Sequence, residues 1–297
     1  MKLVDSIQRM ATLSKMVRKE GKTIGFVPTM GYLHDGHMSL VKAAKKHTDF
    51  VVMSIFVNPI QFGPSEDFEK YPRDLKRDEE LARAAGVDVI FYPSAKDMYP
   101  PGYSTYINVE RLTDRLCGAS RSGHFRGVTT VVAKLFNIVR PDVAYFGQKD
   151  AQQAIVIKKM VQDLNMDVEI KVMPIVRESD GLAMSSRNVY LSEDERKSAL
   201  SIYEALRKAE GMVASGEIDS KKIIRAIKDV ISQKASIKID YVSIVDTKEL
   251  EDLPEIKSEA LIAVAAYVGK TRLIDNVIVR LSPKILPDSE KKPGVRR

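Results

Sequence analysis

The stretch TIGFVPTMGYLHDGH, Thr23 to His37, restricts the fold more than any other part of the chain. It opens on a short apolar run, Ile24 to Val27, of the kind that makes a buried parallel strand. Pro28 is expected to stop ladder pairing there. Gly31 and Gly36 then accompany His34 and His37, and Met38, Leu40, Val41 and Ala44 mark an amphipathic segment. The order is strand, glycine-bearing turn, helix N-terminus. Open α/β sheets receive phosphates at that junction, because unpaired helix amides and the helix dipole face the ligand.

Better-known motifs fail letter by letter. The spacing of Gly31 and Gly36 fits the start of a P-loop, but His37 and Met38 stand where Lys and Ser/Thr are required. No GxGxxG occurs, so a nicotinamide fold is unsupported. His34 and His37 as zinc ligands lack a third partner, since neither HExxH nor a cysteine pair is present. What remains is a His-x-x-His turn suited to binding phosphate through imidazole and backbone N–H.

With 297 residues and 44% apolar content the chain can bury a core and divide into two domains. A single cysteine, Cys117, excludes an intramolecular disulfide and fits a reducing compartment. No signal pattern or membrane-length apolar run is present, so a cytoplasmic address is expected. A net charge of +7 permits an anionic substrate or nucleic acid, yet acidic and basic residues are mixed throughout, as on a solvated face.

In chain order, a helix is predicted over 3–20, then the opening strand and a helix over 37–47. A strand over 50–57 leads into Asn58-Pro-Ile-Gln-Phe-Gly-Pro64, where Gln61 is the polar candidate. A charged helix over 74–85, a strand over 87–92, a loop-rich stretch over 94–126, an apolar helix over 127–139 and a strand over 142–146 follow. In the loop-rich stretch, Arg121 and His124 suit either phosphate or a basic surface turn. Cys117 and His124 could form a nucleophile pair, although a structural thiol fits as well. Gly147-Gln-Lys-Asp-Ala-Gln-Gln153 again opens a helix at a strand end. Asp150 with Gln153 could be a capping box there. Lys149 beside a positive helix end is explained if an anion also sits there. A strand over 168–176 that passes through Pro174 belongs at an edge or ends early. Met184-Ser-Ser-Arg-Asn188 can wrap phosphates or serve as a linker.

Up to 176 this alternation is that of a doubly wound, Rossmann-like parallel sheet. Residues 177–283 change pattern. A capping box at Ser192 and Glu195 opens a helix to about 213, a second helix covers 220–233, and strands follow over 239–245, 260–268 and 272–281. That makes a smaller α+β domain, with a tail at 284–297 that reads as disordered.

PTMGYLHDGH, FVNPIQFGP, SGHFRGV, YFGQKDAQQ and MSSRNVYLS together resemble the pantothenate synthetase (pantoate–β-alanine ligase) family, in order from about residue 23 to 192. That family is similar to class I aminoacyl-tRNA synthetases within the nucleotidyltransferases. The resemblance implies ATP-dependent condensation of (R)-pantoate with β-alanine through a pantoyl adenylate, releasing AMP and pyrophosphate. It implies ATP contacts from Met30, Gly31, Tyr32, Leu33, His34, Asp35, Gly36 and His37, from Gly147, Gln148, Lys149 and Asp150, from Val176, and from Met184, Ser185, Ser186 and Arg187. Gln61 and Gln153 would hold pantoate, Gln61 also serving β-alanine. His34, His37, Lys149 and Arg187 would be catalytic, with His37 the proton donor. It further implies Mg²⁺ with ATP, a homodimer, and a C-terminal domain closing over the site. Protein ligands to the metal are undetermined, because Lys76 and Arg77 leave Asp78 as the nearest carboxylate. A nucleotidyltransferase acting on a phosphorylated partner is the alternative, but neutral Gln61 and Gln153 suit a hydroxy acid better. An RNA-binding role lacks any RNP aromatic signature.

Overall fold

The computed structural model describes residues 1–64 and 66–281, and the tail expected at 284–297 lies outside them. The chain divides into two compact units, Met1–Glu178 with Ala183–Val189, and Ser179–Leu182 with the residues from Tyr190 onward. The sequence reading placed the change at 176/177, but Ala183–Val189 returns to the first unit. The tie is local: Arg177 and Ala183 form an antiparallel bridge, and the Met184 N–H donates to the Val176 carbonyl at 3.0 Å.

In the first unit β1 (Lys2–Val4), β2 (Ile24–Thr29), β3 (Phe50–Ile55), β4 (Val89–Phe91), β5 (Val143–Gly147) and β6 (Glu169–Met173) form a sheet in the order β1-β4-β3-β2-β5-β6. Every pairing is parallel. From β2 the chain builds outward through β3 and β4, then returns to lay β5 and β6 on the other side. The switch point therefore lies between β2 and β5, where open α/β sheets leave a crevice at the strands' carboxyl ends. Helices α1 (Ile7–Lys19), α2 (Asp35–His47), α3 (Leu75–Ala84), the one-turn α4 (Ala95–Met98) and α5 (Cys117–Ser120), α6 (His124–Val139) and α7 (Ala151–Asp163) complete the unit. Both faces of β2 are buried. Val27 packs in one cluster with Val41 and Ala44 of α2, while Phe26 meets Phe136 of α6 edge-on at 6.3 Å.

Two local readings are corrected. The helix predicted from residue 3 starts at Ile7, behind a Ser6 cap, because Lys2–Val4 pair with Val89–Phe91 at the sheet edge. A strand that short carries no periodicity. Pro28 does not end β2, whose pairing with β3 continues through Thr29↔Ile55. Pairing with β5 is confined to Gly25 and Phe26. The Ile24 carbonyl accepts from β5's side (Asp142 N–H), and those of Thr23 and Thr29 accept from Phe50 and Phe56 on β3's side. Alternation along the strand then aims the Pro28 nitrogen at β5. Lacking a proton, it cannot bridge there, and the two strands part.

In the second unit α8 (Glu193–Ala214) and α9 (Ser220–Ile231) cover an antiparallel sheet of β7 (Ile237–Val245), β8 (Glu259–Val268) and β9 (Thr271–Arg280), in the order β7-β8-β9. Alternate β8 residues Ala260, Ile262, Val264 and Ala266 share a core with Ile202, Leu206, Ile223 and Ile227. The expected capping box opens α8: Ser192 Oγ accepts from the Glu195 N–H at 3.3 Å, and the Ser192 N–H donates to the Glu195 carboxylate at 2.9 Å. Ser192→Ala should destabilise the chain by about 1 kcal/mol, read as a lowered urea midpoint at unchanged m-value.

Candidate active site

A cleft with about 1250 Å³ of empty space, counted out to its mouth, opens where β2 and β5 part, and Pro28 and Gly147 both line it. The turn after β2 forms one wall. Its backbone donors are committed to side chains. The Gly31 N–H reaches Thr29 Oγ1 at 3.2 Å, and the Tyr32 and Leu33 N–H groups reach the two Asp78 oxygens at 2.8 and 2.7 Å. Tyr32 holds a left-handed φ of 50°, which costs a bulky residue about 1–2 kcal/mol, and the Asp78 bonds keep it there. Asp78, on α3, is 1% exposed, and burial raises its pKa despite those amides. Its carboxylate is thus turn scaffolding. Among the described residues no group of three His, Cys, Asp or Glu could hold a metal ion.

At the start of α2 the histidines satisfy two further amides. The Gly36 N–H donates to His34 Nδ1 at 3.2 Å, and the His34 N–H to His37 Nδ1 at 3.3 Å. A Cβ on Gly36 would stand 2.9 Å from His34 Nδ1, so the ring can fold back over this position because the residue is glycine. The two rings lie 4.1 Å apart. Burial, then the Lys149 charge, lowers the His34 pKa to about 4. Burial, with His34 and Lys149 adding to it, holds His37 well below the usual histidine range. With both Nδ1 atoms accepting, each neutral ring carries its proton on Nε2. The turn thus presents a pair of neutral imidazole donors to the cleft.

Met30, His34, Gly36, His37, Gln61, Gly147, Lys149, Asp150, Gln153, Val176, Met184, Ser185, Ser186 and Arg187 all line the cleft. Gly31, Tyr32, Leu33, Asp35 and Gln148 do not: Leu33 is in the core and Asp35 is exposed. Asp150 is the N-cap of α7 without a side-chain cap hydrogen bond, so the capping-box reading with Gln153 fails. Ser186 Oγ donates to the Tyr32 carbonyl at 3.2 Å, fastening the serine segment to the turn. Arg187 forms a fork with Asp67, Nε and Nη2 each 2.8 Å from a carboxylate oxygen. Its ring-side neighbour is Tyr71, 5.7 Å from the guanidinium.

Arg121 and His124 are not part of this cleft. Arg121 forks onto Glu66 at 2.6 and 2.7 Å. His124 Nδ1 donates to the Gln61 carbonyl at 2.8 Å, and Nε2 accepts from Arg121 at 3.0 Å. Both ring nitrogens are thereby engaged, so His124 is no base for the buried Cys117. Asn58, Asp67, Tyr71 and the scaffolding role of Asp78 carry no pattern of their own, and of these Asn58 was within reach, lying in the loop that supplied Gln61.

A strand–turn–helix wall at the switch point of a parallel sheet is the ligand-binding arrangement of open α/β enzymes. The family model described as pantoate-beta-alanine ligase matches residues 2–278. The chain is 59% identical to a pantothenate synthetase of Acetivibrio thermocellus over 95% of this chain and 100% of that one. A crystal structure of pantothenate synthetase from Thermus thermophilus is 43% identical and superposes with a TM-score of 0.89, covering 97% and 100% of the two chains. A pantoate-beta-alanine ligase from Francisella tularensis, complexed with beta-gamma ATP and beta-alanine, is 37% identical with a TM-score of 0.77, covering 94% and 97%. The chain belongs to the pantoate–β-alanine ligase family.

Asp78→Asn removes one of two amide acceptors and should cost about 1–3 kcal/mol in urea denaturation. The histidines set an acid limit. His34 and His124 are held near 4, against roughly 6.5 when unfolded, so the unfolded state binds protons first. Stability is full above about pH 6.5 and is lost as pH falls towards 4. His34→Asn keeps a good N-cap without the titration, and should flatten the urea-midpoint profile between pH 6.5 and 5. An unchanged slope would contradict the assignment.

Proposed function

We propose that the chain joins (R)-pantoate to β-alanine at the expense of ATP, through a pantoyl adenylate. The observation that carries this reading is the pair of neutral Nε2–H imidazoles beside Lys149, in one cleft with Gln61 and Gln153. Family membership and the ATP and β-alanine bound to the Francisella relative support it. A pantoate carboxylate oxygen attacks the α-phosphorus, the bond to the β-phosphate bridge breaks, and pyrophosphate leaves. The β-alanine amine then attacks the acyl carbon, the carbon–oxygen bond to AMP breaks, and the amine sheds its proton.

His34 and His37 donate to phosphate oxygens, Lys149 balances their charge, and His37 stabilises the departing pyrophosphate. Gln61 and Gln153 orient pantoate, with Gln61 reaching the β-alanine position. The Val176 backbone meets the adenine, and Ser185 and Ser186 flank the phosphates. Arg187 turns from Asp67 towards the triphosphate or offers its remaining Nη1. The protein's part is positioning and charge stabilisation, with no covalent intermediate. Mg²⁺ enters with ATP, its ligands phosphate and water. The homodimer belongs to the same proposal and rests on the resemblance; sedimentation velocity tests it. No helix among the described residues is long and apolar enough to cross a membrane.

Single-turnover pyrophosphate release should require ATP, Mg²⁺ and pantoate, and turn over continuously to AMP and pantothenate once β-alanine is added. His34→Ala, His37→Ala and Lys149→Ala should each slow release by about 10²–10³-fold, the scale for a lost transition-state donor. Near-wild-type release from any of them would remove that residue from the mechanism.

A further inference from the structure

Gln61 has its side-chain amide direction fixed by Asn58, whose other two partners, the Gly127 carbonyl and Tyr99, lie outside the cleft lining. The chain of hydrogen bonds starts at a carbonyl. Asn58 Nδ2 lies 3.1 Å from the Gly127 carbonyl oxygen, which can only accept, so the nitrogen of the Asn58 amide must face it. The same nitrogen donates to Gln61 Oε1 at 3.0 Å, so the Gln61 oxygen must face Asn58. Gln61 Nε2 is left pointing at Met30 Sδ, 3.1 Å away on the cleft wall. A thioether is a weak acceptor, and an incoming oxygen displaces it readily.

The remaining end of Asn58 is its oxygen, in a residue 1% exposed. The Tyr99 hydroxyl donates to it at 2.8 Å. Tyr99 lines no part of the cleft. Its ring is seated against Phe56 at 6.3 Å and Tyr103 at 5.0 Å, and burial raises its pKa, so the phenol stays a donor. The approach is close on the other side too: a Cβ on Gly127 would fall 2.6 Å from Gln61 Cα.

We propose that Tyr99 is a positioning residue: through Asn58 its hydroxyl holds Gln61 with the N–H side towards the cleft. This end of the site then selects an oxygen acceptor, a carboxylate or hydroxyl of the hydroxy acid, and disfavours an ammonium donor. The inference rests on the reading of Gln61 as the hydroxy-acid contact. Tyr99→Phe keeps the ring and leaves a buried acceptor without a donor, so Asn58 shifts and Gln61 loses its direction.

The test is a double-mutant cycle on wild type, Tyr99→Phe, Gln61→Ala and the double variant, with KM for pantoate, ATP and β-alanine measured for each. Tyr99→Phe should raise KM for pantoate about tenfold, the scale of one lost hydrogen bond, and leave KM for ATP within twofold. In the Gln61→Ala background the same substitution should change pantoate KM less than twofold. Equal effects in both backgrounds, or a like effect from Tyr103→Phe, which alters the same aromatic cluster without touching Asn58, would overturn the relay. No effect of Tyr99→Phe in folded protein would do so as well. Gln61→Ala alone tests the underlying reading: if it leaves pantoate KM unchanged and moves another substrate's, the pantoate assignment falls and the coupling is read on that substrate. If it moves none, relay and reading fall together.

Discussion

Pro28 lacks the one proton that β2 would need to stay bridged to β5. The strands pair at Gly25 and Phe26 and then separate, while on the other side β2 remains paired to β3 through Thr29. A cleft at the switch point follows from that asymmetry. So does a second requirement, because chain leaving a strand into a half-buried turn brings amides that no ladder can satisfy. Side chains from three places meet it: Thr29 beneath the turn, Asp78 from α3, and the histidine pair at the start of α2. Five of the turn's amide donors are consumed in building the wall, which presents imidazoles and Lys149 to the cleft.

Adjacent acids on one loop hold two arginines in forks of similar geometry, Glu66 with Arg121 and Asp67 with Arg187. Their surroundings differ. Arg121 also donates to His124, which is fastened to the Gln61 carbonyl, so its fork ends in scaffolding. Arg187 has cleft on its other side. A planar guanidinium matches carboxylate and phosphate equally well, which suits it to be stored on Asp67 and lent to a ligand.

The legible parts of the sequence were those whose signal is local. Apolar runs placed five of the six sheet strands, Pro174 marked an edge strand that ends early, as β6 does at Met173, and Ser192 with Glu195 marked the start of α8 to the residue. Residue types at strand ends pointed to His34, His37, Gln61 and Lys149, which line one cleft. What escaped depends on partners far along the chain. Asp78 looks like one charge in a solvated helix until Tyr32 and Leu33 are placed against it, 45 or 46 residues away. Lys2–Val4 become a strand through β4 alone. Tyr99 sat in a stretch read as loop, and acquires meaning through a bond to Asn58, 41 residues distant.

The histidines show how far such partners decide chemistry. His34 and His37 each receive a backbone N–H on Nδ1, which fixes the proton on Nε2; His124 meets a carbonyl at Nδ1, which fixes the proton there and leaves Nε2 to accept from Arg121. Burial keeps all three neutral near pH 7. The first two therefore keep their protons for a ligand, and the third has none to offer. An ordinary histidine on an exposed turn would be about a quarter protonated at neutral pH and free to exchange tautomers. A neutral pair avoids placing two cations 4.1 Å apart beside Lys149.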